Sequence, residues 1–111
     1  MKIKLGKKEL SLQRAMKNME AIENNLDHGL GYISRKIVIN DLKQSELAQI
    51  FSAGLLGTPD FLEAGAIEKL MYETEGVTPL YYANIAVDYM DFLFTAPESF
   101  KKKAAAKEPS K

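Results

Sequence analysis

Residues 78–96 read TPLYYANIAVDYMDFLFTA, and the way this stretch is buried decides the fold. Thr78-Pro79 is a helix start signal: threonine suits the cap, and proline at the first helical position lacks only an N–H that would have no helical partner. At about 100° per residue, the polar side chains Asn84, Asp88, Asp91 and Thr95 fall on one narrow stripe. Tyr81, Ile85 and Phe92 flank the stripe on one side and Ala83, Val87 and Phe94 on the other, with Tyr82, Ala86, Tyr89, Met90 and Leu93 behind. A helix polar over only about a sixth of its circumference needs cover on most sides. It is expected as the central core helix, as a surface for another chain, or as both. Asp88 and Asp91 within an apolar run of about 15 residues argue against a membrane span, which takes about 20.

The chain around it has 111 residues, 46% of them hydrophobic, which fits one small domain with a modest core. Fifteen basic residues balance fifteen acidic ones, so no bulk charge draws it to nucleic acid, to a membrane or to an acidic substrate. The balance hides a polarity. Residues 1–43 hold nine basic against five acidic side chains, whereas residues 44–76 hold one against six. With no cysteine there is no disulfide framework and no thiolate chemistry, which suits a reducing cytoplasm. No apolar run follows the basic N-terminus as a signal peptide would.

Working back from residue 78, two further helices have clear punctuation. One, about 44–55, places Leu47, Ile50, Phe51 and Leu55 on a face and is closed by Gly57. The next, about 59–75, takes Thr58-Pro59 as its start, with Phe61, Ala64, Ile67, Leu70 and Met71 as its buried face and Gly76 as its end. Upstream, Leu12, Ala15, Met16, Met19, Ile22 and Leu26 share a helical face, giving a helix over about 12–26 with Ser11 as cap. A shorter helix, about 30–37, follows the break at Asp27-His28-Gly29, and a β-branched connection ends near Asn40-Asp41. At the start, Lys2 to Leu5 alternates polar and apolar, Gly6-Lys7 forms a two-residue turn, and Lys8 to Leu12 returns as a partner strand. The expected architecture is mainly α: a helical domain of about five helices over 1–96 with a short N-terminal β-hairpin, followed by a flexible basic tail over 97–111.

No constellation in this sequence carries catalysis. The only histidine, His28, lies in an expected loop without a defined nucleophile or orienting partner. Asp88 and Asp91 share a helix face, but a hard cation wants more oxygen ligands than these two supply. The glycines form no phosphate-binding pattern. The chain is therefore read as non-enzymatic, with no cofactor and no metal. A small helix-turn-helix DNA-binding regulator using residues 44–75 is the alternative, and the acidic character of that segment opposes it, because a groove-reading helix needs Lys and Arg. Aromatic side chains concentrated on one helix have the composition with which one protein grips another. The partner-binding residues expected on these grounds are Tyr81, Tyr82, Ile85, Tyr89, Phe92 and Phe94.

The run Met19-x-x-Ile22-Glu23-x-x-Leu26-x-x-Gly29-Leu30-x-x-Ile33, followed after a gap by Ile50-Phe51-x-x-Gly54-Leu55, resembles the tail assembly chaperones of long-tailed phages. Within these it is most similar to the gene-transfer-agent-like family, over about residues 10–75. Asp27 stands where that family usually has its first glycine, and the N-terminal hairpin is shorter. The resemblance implies a cytoplasmic protein that binds the tape measure protein, keeps it soluble, helps recruit the tail tube protein and is absent from the mature particle. Separately, the narrow polar stripe of the helix over 79–95 predicts contacts beyond one monomer, with the tape measure protein or in a homo-oligomer. The resemblance also implies a ribosomal slip that appends a second domain to a minority of copies, for which Lys101-Lys102-Lys103 is the place where adenine-rich codons would fall.

Overall fold

The computed structural model describes residues 1–74 and 76–95. Two strands, β1 (Lys2–Leu5) and β2 (Lys8–Ser11), precede five helices: α1 (Met16–Leu26), α2 (Leu30–Val38), α3 (Gln44–Leu55), α4 (Ala64–Glu73) and α5 (Pro79–Phe94). The mainly helical architecture with an N-terminal hairpin is as the sequence predicts. The basic tail and its lysine run lie outside the described residues.

The hairpin is antiparallel, with Ile3 opposite Leu10 and Leu5 opposite Lys8. Its two-residue turn requires a left-handed conformation at the first position, and Gly6 adopts it at φ +61°. Alternation then turns Ile3, Leu5 and Leu10 into the core and leaves Lys2, Lys4 and Glu9 outside.

The central element is α3 and not α5. Helix α3 packs against α1, α4, α5 and β2. It buries Leu47, Ala48 and every residue from Ile50 to Leu55, so it is covered on nearly every side. Its small residues are what permit this. A β-carbon on Gly54 would come within 2.7 Å of the Tyr89 hydroxyl and 3.0 Å of Leu12, so α5 and the β2–α1 connection close on α3 only because nothing projects there.

The carbonyl end of this central helix cannot reach water freely, and its orphan acceptors need protein donors. Asn18, entirely buried on α1, supplies them: its side-chain amide donates to the carbonyl oxygens of Ala53 at 2.9 Å and Leu56 at 3.1 Å, while its Oδ1 accepts from the Ala15 N–H. Thr58 covers Leu55, donating both its backbone N–H and its hydroxyl to that carbonyl. No buried side-chain nitrogen or oxygen among the described residues lacks a partner.

Two helix starts differ from expectation for the same reason. The helix expected from residue 12 begins at Met16, because Leu12 N–H is taken by the Met1 carbonyl and Gln13 N–H by the Gly54 carbonyl, which keeps this chain extended. Ser11 ends β2 and caps nothing. The helix expected from residue 59 begins at Ala64, because Thr58 turns back to α3 instead of capping forward, and Ser52 donates its hydroxyl to the Leu62 carbonyl and holds the link. Phe61, expected in the core, is 43% exposed as a consequence.

The α1–α2 joint is built from one carboxylate and one left-handed residue. Glu23 Oε2 accepts from the Leu30 N–H at 3.0 Å, where the positive end of α2 favours negative charge. Asp27 ends α1 at φ 54°, ψ 40°.

Two stability changes follow. Replacing Asn18 by Leu leaves buried carbonyls without donors, and thermal or urea unfolding should show a loss of about 2–3 kcal/mol, large for one side chain. Replacing Asp27 by Gly removes the steric cost of the left-handed conformation, and the same measurement should show a gain of about 0.5–1 kcal/mol.

Candidate protein-binding surface

The aromatic helix α5 lies along α3 and α2. It buries Tyr82, Ala83, Ala86, Tyr89, Met90 and Leu93. The polar stripe of Asn84, Asp88, Asp91 and Thr95 is exposed, as expected. Each residue expected to bind a partner can now be placed.

Tyr82 and Tyr89 belong to the interior, at 3% and 0% exposure. Both hydroxyls are spent inside the fold: Tyr82 donates to the Met71 carbonyl and Tyr89 to the Gln13 carbonyl. Burial pushes the Tyr89 phenol well above its ordinary pKa, so it stays a neutral donor. These two positions are therefore corrected from surface anchors to core ties. Phe92 is half-buried, with the Arg14 guanidinium 4.7 Å from its ring centre, and Ile85 is half-buried beside the stripe. Arg14 also donates to the Phe92 and Thr95 carbonyls at 3.3 and 2.7 Å, closing the carbonyl end of α5 with positive charge. Tyr81 and Phe94 remain open, at 40% and 57% exposure, but at opposite ends of the helix.

Part of the open apolar surface lies where α5 begins. Gln44, Tyr72, Thr78, Pro79 and Tyr82 line one cleft of about 120 Å³, which brings the start of α3, the end of α4 and the start of α5 to one end of the molecule. The end of α2 leads into α3 through residues 39–43. Tyr72 near the end of α4 and Leu80 and Tyr81 on the first turn of α5 are exposed large apolar side chains, and Val38 and Ile39 at the end of α2 are exposed as well. Val38, Ile39 and Tyr72 are each about two-thirds exposed or more, at 68%, 66% and 71%. Exposed apolar side chains of this size are the kind of surface that a domain covers with another chain. Only Tyr81 of this group was expected as a binding residue. The signal for the rest was present: Ile37-Val38-Ile39 is too apolar for a simple connection, since only Ile37 turns inward.

Other groups make less of a site. His28 stacks on Tyr32 with ring centres 4.1 Å apart, and Lys36 sits over the same ring while paired to Asp41 at 3.0 Å. The Asp41 hydrogen bond raises the Lys36 pKa above its ordinary value. No three His, Asp or Glu side chains among the described residues come together to hold a metal. No helix of the described residues is long and apolar enough to cross a membrane. Helix α4 carries a single basic residue, Lys69, 3.9 Å from Glu73, which is little positive charge for a helix reading DNA.

The two kinds of tyrosine should separate in experiment. Tyr89→Phe should lower stability by about 1 kcal/mol in urea unfolding, the worth of one hydrogen bond, whereas Tyr81→Ser should leave the unfolding midpoint within about 0.5 kcal/mol of wild type.

No protein-family model, curated protein or solved structure matches this chain.

Proposed function

We propose that this protein is a tail assembly chaperone of the phage and gene-transfer-agent type, acting in the host cytoplasm. It holds amphipathic helices of the tape measure protein and brings tail tube subunits to them. The observation that carries this reading is the set of exposed apolar side chains at the end of α4 and the start of α5, Tyr72, Leu80 and Tyr81, with Val38 and Ile39 exposed at the end of α2. An amphipathic helix presents apolar side chains at spacings of three and four, and exposed apolar side chains are what such a face packs against. The resemblance in residues 19–33 and 50–55 supplies the identity of the partner. The fixed core beneath the patch supports a holding role, because a rigid platform loses little entropy when it binds.

The DNA-binding alternative has less behind it. Helix α3, which would be the first helix of such a motif, is wrapped by the rest of the fold, and α4 presents carboxylates.

The test is co-expression with the long open reading frame of a tape measure protein from the same gene cluster. The tape measure protein should stay soluble and be pulled down with the wild-type chain. Tyr72→Ser combined with Leu80→Ser should weaken the complex by about 2 kcal/mol or more, near thirtyfold, with the melting temperature of the free chaperone unchanged. Equal solubility of the tape measure protein with and without this chain, and no complex, would overturn the reading.

A further inference from the structure

The cleft where α4 meets α5 is more apolar than the names of its residues suggest. Its buried members are Met71 and Tyr82, 4% and 3% exposed, and Tyr72, Val77 and Pro79 line it nearer the surface. The Tyr82 hydroxyl donates to the Met71 carbonyl at 3.0 Å and the Thr74 hydroxyl to the Leu70 carbonyl at 2.7 Å, so neither donor is left for a ligand. Pro79 has no N–H to give. Of the polar side chains that line the cleft, there remain the Gln44 amide at the start of α3 and the Thr78 hydroxyl, which makes no capping bond. No charged side chain among the described residues lines it.

Two conditions then select an occupant. An ionised side chain seated there would give up water and find no opposite charge among the described lining residues, which is costly. Size makes the second cut. The cleft holds about 120 Å³, less than the cavity of about 150 Å³ that takes a benzene ring. Forcing an aromatic side chain into it would push neighbours off their preferred rotamers. An aliphatic side chain of leucine size meets both conditions, and burying it removes apolar surface from water on both sides of the contact.

We infer that this cleft seats one aliphatic side chain, leucine or methionine, from the apolar face of a tape measure helix and refuses an aromatic one; the inference rests on the function proposed above. The exposed side chains nearby and the cleft then have different tasks. Tyr72 and Leu80 supply contact area, which any apolar face can use. The cleft supplies register, because a knob held in a hole fixes where along its length a helix is gripped. Val77 is the residue on which this selection turns: half-buried and lining the cleft, it sets how much room the occupant has.

Two measurements on the full chain test this. In the first, backbone amide NMR shifts are followed as 3-methylbutan-1-ol, which carries a leucine-like branched chain, or benzyl alcohol, which carries the phenylalanine ring, is added. At roughly tens of millimolar the aliphatic alcohol should move the amides of Tyr72, Val77 and Thr78, and the aromatic one should move them about threefold less. Val77→Phe fills the cleft from within and should abolish this response, with a circular dichroism melt like that of wild type. In the second, Val77→Phe should weaken the complex with the tape measure protein of the same gene cluster about tenfold. Equal shifts with the two alcohols, no shifts at these amides, or a Val77→Phe chain that binds the tape measure protein as wild type does would overturn the inference and leave the proposed function standing. A wild-type chain that takes the aliphatic alcohol but forms no complex with the tape measure protein would overturn the proposed function, and this inference with it.

Discussion

The side-chain amide of Asn18 closing the carbonyl end of α3 is the contact on which the rest of the structure depends. A helix surrounded on nearly all sides has its last carbonyls in a medium where an unpaired acceptor costs about 1–3 kcal/mol, so some neighbour has to bring donors to it. Asn18 does so from the first turn of α1, with Oδ1 meanwhile holding that helix's own start. The same short region ties α5, through the Gln13 carbonyl that Tyr89 donates to and the Arg14 guanidinium over its end. Residues 13–18 thus fasten two helix C-termini. Hydrophobic burial supplies most of the stability, but these polar ties fix which way the helices lie.

Where local periodicity and punctuation agreed, the sequence was easy to read. Helix α3 runs from Gln44 to Leu55 and α5 from Pro79 to Phe94, within a residue of the patterns that predict them. Reading failed where a capping residue had two possible targets. Thr58 looks forward to Pro59 in sequence, yet its hydroxyl serves Leu55 behind it, and Ser11 is consumed by the hairpin. Both outcomes are decided by contacts between residues far apart in the chain, which no window of sequence contains. The rank of the helices was misjudged for a related reason. Helix α5 is the more apolar, but α3 carries Ala48, Ser52, Ala53 and Gly54, and smallness rather than hydrophobicity lets neighbours crowd in from every side.

The binding surface was legible only in part. Aromatic content pointed to α5, but content does not say which tyrosines face inward, and two of the three serve the core. The exposed group takes members from different helices, and only the fold brings Tyr72 at the end of α4 beside the start of α5. The residues carrying the family resemblance have local explanations here: Glu23 and Gly29 build the α1–α2 joint, and Gly54 allows the closest approach in the core. Asp27, the departure from that pattern, still adopts the left-handed conformation a glycine would take.

The grip of Gln13 and Arg14 on α5 has a consequence for the order of events during synthesis. Their partners stand 76 to 81 positions later in the chain, so the polar groups of this early segment stay in water until α5 has left the ribosome. The hairpin and α1 to α3 can collapse sooner, but with the face of α3 around Gly54 uncovered. A growing chain therefore carries an apolar slot of its own, and the first amphipathic helix it captures is α5.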